Sequence, residues 1–405
     1  MKPSLFPLLV INRGVLLAVM LCAFTNAHAQ EVLPETAFVE KAMSTNQSIQ
    51  AGLGAVQQQS QLLRGAVTLP NPELFVESPT GKFYTPSITQ SLEWPSVYVH
   101  QRRLQKARIG VAQGEQALTL AEVRLQFRRL YLDYQYLTAQ ATQYRIQDSL
   151  YDGIRQSAVR QFKAGQIDYL QQLFAETQWG EAHARSIAAE KSLRHLSARI
   201  QYLTAGSGDF QAAPFARREL PAALMDSLGA IDTSANPGFG LALQNEKVAE
   251  EEVRLQQSRA LPGLAFGYFN QGERDTKLEQ RFRFGLTIPI YFWQHRANIQ
   301  AARIGLQVSQ ARTRAFRQGL TLQYIEALGN LESSASLLAY YEATGGPKAA
   351  EMLRTAQRLF SAGQTDYREL LRTSTEAYNI QARQLEALYN YNTAILTLQY
   401  LTGTP

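Results

Sequence analysis

Residues 162–173 (FKAGQIDYLQQL) return, 198 positions later, as residues 360–371 (FSAGQTDYRELL), with seven of twelve residues identical. The same offset lays Gln201-Tyr202-Leu203-Thr204 on Gln399-Tyr400-Leu401-Thr402. With a small shift, Leu69-Pro70 matches Leu261-Pro262 and Ala107-Arg108-Ile109-Gly110 matches Ala302-Arg303-Ile304-Gly305. Matches that keep their order mean one unit used twice. Two copies are too few for a solenoid, so the expected product is a pseudo-symmetric protomer.

Each half reads to the same plan. A helix (36–69, then 237–260) precedes two strands (72–78 and 83–94; 263–270 and 278–290). A very long helix follows (97–162; 297–360), then a glycine-containing turn and a return helix (167–205; 365–402). The expected units are a first repeat over 30–205, a linker or equatorial segment over 206–236 rich in Gly, Pro, Ala and Ser, and a second repeat over 237–405. A helix of that length spans about 100 Å at ~1.5 Å per residue. Leu120, Val123, Phe127, Leu130, Tyr134, Leu137, Ala141 and Tyr144 alternate by three and four, as do Leu370, Ala377, Ile380, Ala387, Tyr391, Ala394, Leu398 and Leu401. Such seams call for partner helices. Gly345-Gly346-Pro347 is expected to kink the second long helix, since proline removes a backbone donor and crowds the preceding turn.

The strands carry the stronger constraint. Phe282, Phe284, Leu286 and Ile288 alternate with Arg281, Arg283, Gly285 and Thr287. Ile88, Leu92 and Trp94 alternate with Ser87, Thr89, Ser91 and Glu93, Gln90 breaking the apolar side. Strands with one apolar and one polar face suit a barrel wall in lipid. Thr89, Glu93, Arg281 and Arg283 are then the expected lumen-facing residues. Trp94, Tyr291, Phe292 and Trp293 cluster where strand meets long helix, as an interfacial aromatic girdle would. Open strand edges are not tolerated in lipid, and four strands close no barrel, so several copies must share one wall; three would supply twelve strands. A soluble four-stranded sheet with one wet face is the plainer alternative.

The start of the chain fits export. Lys2 and Arg13 precede a ten-residue apolar run, Val15–Phe24, and Ala27-His28-Ala29 offers a cleavage site before Gln30, so 1–29 reads as a signal peptide. The one cysteine, Cys22, lies inside that run, so the mature chain is expected to form no disulfide or thiolate metal site; acylation at Cys22 is the alternative. Removing Lys2 and Arg13 takes the net charge from +6 to +4. The arginines are spread along the helices, which argues against nucleic acid as a partner. There is no phosphate loop, H-E-x-x-H or G-x-S-x-G, and His100, His183, His195 and His295 are scattered. No enzymatic activity, cofactor or metal site is expected.

Several elements together resemble the TolC family of outer-membrane efflux proteins, and within it the CzcC/CusC-like members. They are Asn236-Pro237, Leu261-Pro262, Leu286-Thr287-Ile288-Pro289-Ile290-Tyr291 and, above all, the two F-x-A-G-x-x-D-Y elements. The resemblance covers nearly all of the mature chain. It implies a mainly α protomer with a membrane β component. Three copies would form a homotrimer, with a twelve-stranded barrel in outer-membrane lipid continuous with a twelve-helix periplasmic barrel.

It also implies a periplasmic adaptor (membrane fusion protein) and an inner-membrane pump of the RND type as partners, with metal ions or drugs as cargo. Ala164, Gly165 and Gln166, with Ala362, Gly363 and Gln364, fall at the adaptor-docking tip. Gln171, Glu369 and Arg372 fall where the archetype carries its acidic gate. Only Glu369 keeps an acid, and Arg372 brings opposite charge. Asp168 and Asp366 read first as helix caps. A channel for type I protein secretion and, further off, a periplasmic adaptor are the competing readings.

Overall fold

The computed structural model describes residues 32–78, 81, 84–204, 210–220, 234–269 and 277–404. The expected signal peptide, with Cys22, lies outside them. In the first half, β1 (Val32–Leu33) leads into α1 (Glu35–Ser44) and α2 (Gln47–Leu62). The hairpin β2 (Glu73–Glu77) and β3 (Thr85–Leu92) follows, then α3 (Pro95–Lys163) and α4 (Tyr169–Thr204). After β4 (Gln211–Ala212), the second half repeats the order. It comprises α5 (Pro237–Arg259), β5 (Gly263–Phe269), β6 (Phe282–Thr287), α6 (Phe292–Tyr340), α7 (Gly346–Ser361) and α8 (Tyr367–Thr402).

The structure corrects one expectation and gives detail to two others. The first helix, expected unbroken over 36–69, stops at Ser44 and restarts at Gln47. Asn46 intervenes, its side-chain oxygen accepting the N–H groups of Ser48 and Ile49 at 2.9 and 3.2 Å. A side chain that can hold free amides makes a second start cheap. The second long helix is interrupted by a π turn, Tyr341–Gly345, and resumes with Pro347 in its first turn, where a missing N–H costs little. The segment expected as a linker is, over 210–220, a strap bound to the helices. Gln211–Ala212 pairs in parallel with Val32–Leu33, and the Phe210 ring lies 4.7 Å from that of Tyr134. The Arg218 amide donates to Asn392 Oδ1, and Asn392 Nδ2 donates to Ala216 O, both at 2.9 Å.

α3 runs for 69 residues, about 100 Å, and packs along α4, α5 and α8, so the two repeats lie side by side. Val123, Phe127, Leu130, Tyr134 and Ala141 of the first seam are buried, as are Leu370, Ala377, Ala387, Tyr391, Ala394, Leu398 and Leu401 of the last. Four core clusters hold the described helices together, the smallest being Val97, Leu104 and Leu255 near the sheet. One joins Phe38 and Ile49 to Phe127, Tyr131 and Ile200. Another joins Leu320, Tyr324 and Leu338 to Tyr391 and Leu398. The third, at the far end, mixes both repeats through Tyr151, Ile154, Ala175, Tyr367, Leu371 and Tyr378.

At the other end the two hairpins form one antiparallel sheet in the order β2-β3-β5-β6. Residues opposed across a ladder share a face. The register therefore places Leu74, Ile88, Tyr268 and Phe282 in one row, with Gln90, Phe266 and Phe284 in the next. These rows make one largely apolar face. Glu73, Thr89, Gly267 and Arg283 form a row of the opposite face, which also bears Ser87, Ser91 and Thr287. The apolar side is open: Leu74 is 71% and Phe284 79% exposed in the single chain. Both outer strands, β2 and β6, have an edge with no partner strand among the described residues.

Candidate functional site: an open-edged sheet and a paired helical tip

Thr89 and Arg283 lie on the polar face of the sheet, as their alternation requires. Glu93 and Arg281 do not lie on strands. β3 ends at Leu92, because Trp94 and Pro95 open α3, and Pro95 has no N–H for a ladder. The Glu93 amide donates to the Tyr98 hydroxyl at 2.9 Å, and its carboxylate accepts from Gln101 at 3.4 Å, so it secures the strand–helix junction. Arg281 closes a 3-10 turn, Leu278–Arg281, and donates to the Tyr268 hydroxyl at 3.3 Å. Tyr291, Phe292 and Trp293 are each about 60% exposed at the mouth of α6, with Trp293 against both neighbours at 5.2 and 5.5 Å. Among the described residues no helix is long and apolar enough to cross a membrane.

The opposite end carries the repeated F-x-A-G-x-x-D-Y elements. Gly165 and Gly363 both have φ of +69°, the left-handed conformation that ends a helix without steric cost to glycine. The following amides reach back, Gln166 N to Gln161 O and Gln364 N to Leu359 O, each at 2.9 Å. Those bonds satisfy carbonyls that the helix end would leave bare. Asp168 then accepts the Gln171 amide at 2.7 Å, and the Gln171 side chain accepts the Asp168 amide at 3.3 Å, a reciprocal cap. Asp366 accepts the Glu369 amide at 2.9 Å, and that bond, followed by Arg368, holds its carboxyl below the usual carboxylate range.

The gate candidates divide between two functions. Gln171 is spent on capping, whereas Glu369 forms an exposed two-pronged pair with Arg372, at 2.9 and 3.0 Å. That bond to Arg372 lowers the Glu369 carboxyl. Gln171 and Arg372 line a groove of about 920 Å³ between the start of α4 and α8, together with Leu170, Phe174, Leu371 and Glu376. Glu369 lines a separate groove against α7, with Lys348 and Glu351. Sequence reading missed a neighbouring cluster. His183 Nδ1 lies 3.0 Å from Asp148, its ring stacks on Trp179 at 5.1 Å, and the Arg155 guanidinium lies over the Trp179 ring at 4.5 Å. The only signal was Trp179 and His183 at i,i+4 on one helix. Among the described residues no group of His, Cys, Asp and Glu is arranged to hold a metal ion.

Solved structures of outer-membrane channels share this arrangement of a sheet on one end of a long helical rod. With CusC the TM-score is 0.74 at 14% identity, covering 92% of each chain. With the CmeC outer membrane channel of Campylobacter jejuni it is 0.74 at 12%, covering 91% of this chain and 85% of that one. With the outer membrane protein VceC of Vibrio cholerae it is 0.71 at 11%, covering 91% and 96%. No curated protein matches in sequence.

Residues 234–404, the second repeat, match the family described as "Outer membrane efflux protein". The sequence match is thus confined to one repeat, while the likeness in fold runs through both.

Proposed function

We propose that three copies of this chain form the exit duct of a tripartite efflux system. The duct receives small toxic solutes, metal ions or drugs, from an inner-membrane pump of the RND type through a periplasmic adaptor. The observation that carries this reading is the sheet. Its apolar face is bare and, among the described residues, both its edges are open, a combination lipid accepts only when neighbouring copies close the wall. The match of residues 234–404 to the outer membrane efflux protein family supports the same reading. The energy comes from the pump, and the duct supplies a polar lumen and a gate.

In this reading the turns Ala164-Gly165-Gln166 and Ala362-Gly363-Gln364 meet the adaptor, because they end the rod and are held rigid by their caps. Gln171, Glu369 and Arg372, at the edges of the two tip grooves, border the gate. Thr89 and Arg283 face the lumen. The test is deletion of the gene followed by complementation. Deletion should sensitise cells to at least one metal or drug and the intact gene should restore tolerance. Unchanged tolerance to every tested pump substrate contradicts the proposal.

A further inference from the structure

The two free edges of the sheet carry opposite charge on the same face. Glu73 and Glu77 are two of the five residues of β2, and their alternation sends both carboxylates to the polar side. Arg283 of β6 lies on that side too, in the row Glu73–Thr89–Gly267–Arg283. Three strand spacings of about 4.8 Å separate Glu73 from Arg283, about 14 Å, too far for contact within one copy. Among the described residues neither Glu73, Glu77 nor Arg283 has an ion-pair partner, and all three are exposed. The Arg283 guanidinium rests 3.9 Å from the centre of the Phe269 ring, which holds it on the polar face.

Resting on the trimeric reading above, we infer that β6 of one copy docks on β2 of the next through an ionic seam, Arg283 against the Glu73/Glu77 edge. Rotation about the barrel axis carries β6 beside the neighbour's β2 and keeps inner faces inner. The guanidinium of one edge and the carboxylates of the other therefore meet on the lumen side, while Leu74, Val76, Phe282 and Phe284 meet on the lipid side. Arg and Glu side chains reach both opposed and diagonal neighbours across a ladder. The seam is head-to-tail: an acidic edge repels another acidic edge and accepts only the basic one. That selects a closed ring over edge-to-edge dimers. Which of Glu73 and Glu77 meets Arg283 reports the register in which the ring closes.

The full mature chain in detergent micelles provides the test, read as the temperature at which trimers dissociate on unboiled gels. E73R/E77R makes both edges basic and R283E makes both acidic. Each should lower that temperature by about 5 °C or more. The combined E73R/E77R/R283E variant should recover most of the loss. Equal temperatures for the parent and both single-edge variants overturn the seam, as does a combined variant no better than either.

Independently of stability, R283C paired with E73C or with E77C should cross-link between copies under oxidation, since the one native cysteine, Cys22, lies in the expected leader. Failure of both pairs in a trimeric parent also overturns the seam. A parent that is itself monomeric in detergent refutes the trimeric reading instead, so the two failures are distinct.

Discussion

The Tyr389 hydroxyl donates to Asp133 Oδ1 at 2.7 Å, joining α8 of the second repeat to α3 of the first across 256 residues of chain. The Tyr136 ring leans on Tyr389 at 4.8 Å, and burial, then the bond to Asp133, pushes the Tyr389 phenol up to about 12. A bond linking the repeats at mid-rod should matter to the stability of the whole. Tyr389→Phe should cost about 1–2 kcal/mol, because it leaves a charged acceptor without its donor. Chemical denaturation of the detergent-solubilised protein reads this directly.

The same phenol sets an alkaline limit. Tyr389 and Tyr378 both ionise at about 12 in the fold and near 10 when unfolded, burial being the first cause at each. The unfolded chain loses these protons first, so their contribution is intact below pH 10 and is lost as pH rises from about 10 to about 12. Stability measured across that window should fall, and Tyr378→Phe with Tyr389→Phe should flatten the fall.

Asp366 acts at the opposite end of the scale. Its lowered carboxyl stabilises the start of α8 above the unfolded value near 3.8, and that support is lost as pH falls through the folded value. Asp366→Ala should cost about 1 kcal/mol locally. Hydrogen exchange should show faster opening of the Glu369 amide, with the core amides of α8 near Tyr391 unchanged.

Gly363 separates docking from folding. A Cβ there meets nothing within 4 Å, so the only penalty is the left-handed backbone, about 1–2 kcal/mol for a β-branched residue. Gly363→Val should impair efflux while the trimer persists. Loss of the trimer would instead make the turn structural. Gly403, at φ +68°, offers the contrast. A Cβ there would lie 2.3 Å from Ala235 O, so Gly403→Ala should destabilise the fold itself, lowering the unfolding temperature by several degrees.

The elements were legible where periodicity is long. Val123, Phe127, Leu130, Tyr134 and Ala141 of the expected a/d seam are buried, and the alternation of each hairpin put Thr89 of β3 and Arg283 of β6 on the polar face. Short punctuation was harder. Glu93 fits the alternation of β3, but Pro95 two residues on ends the ladder before it, and Arg281 extends the β6 pattern into a 3-10 turn.

The break at Asn46 was visible only as a capping residue inside a helical pattern. The strap at 210–220 had no periodic signal, because its order comes from tertiary partners. Tyr134 and Gln135 on α3 accommodate its carbonyls, and Glu35 binds both Arg128 and Arg218, at 2.8 and 2.6 Å. The tip was legible because glycine at positive φ followed by a capping aspartate is itself a sequence motif.

The mass of the mature protein extracted from outer membranes in mild detergent, measured by native mass spectrometry after the detergent is stripped, tests the shared-barrel account most directly. The account requires a particle of three chains. A single chain that stays dispersed in water once detergent is withdrawn would contradict it.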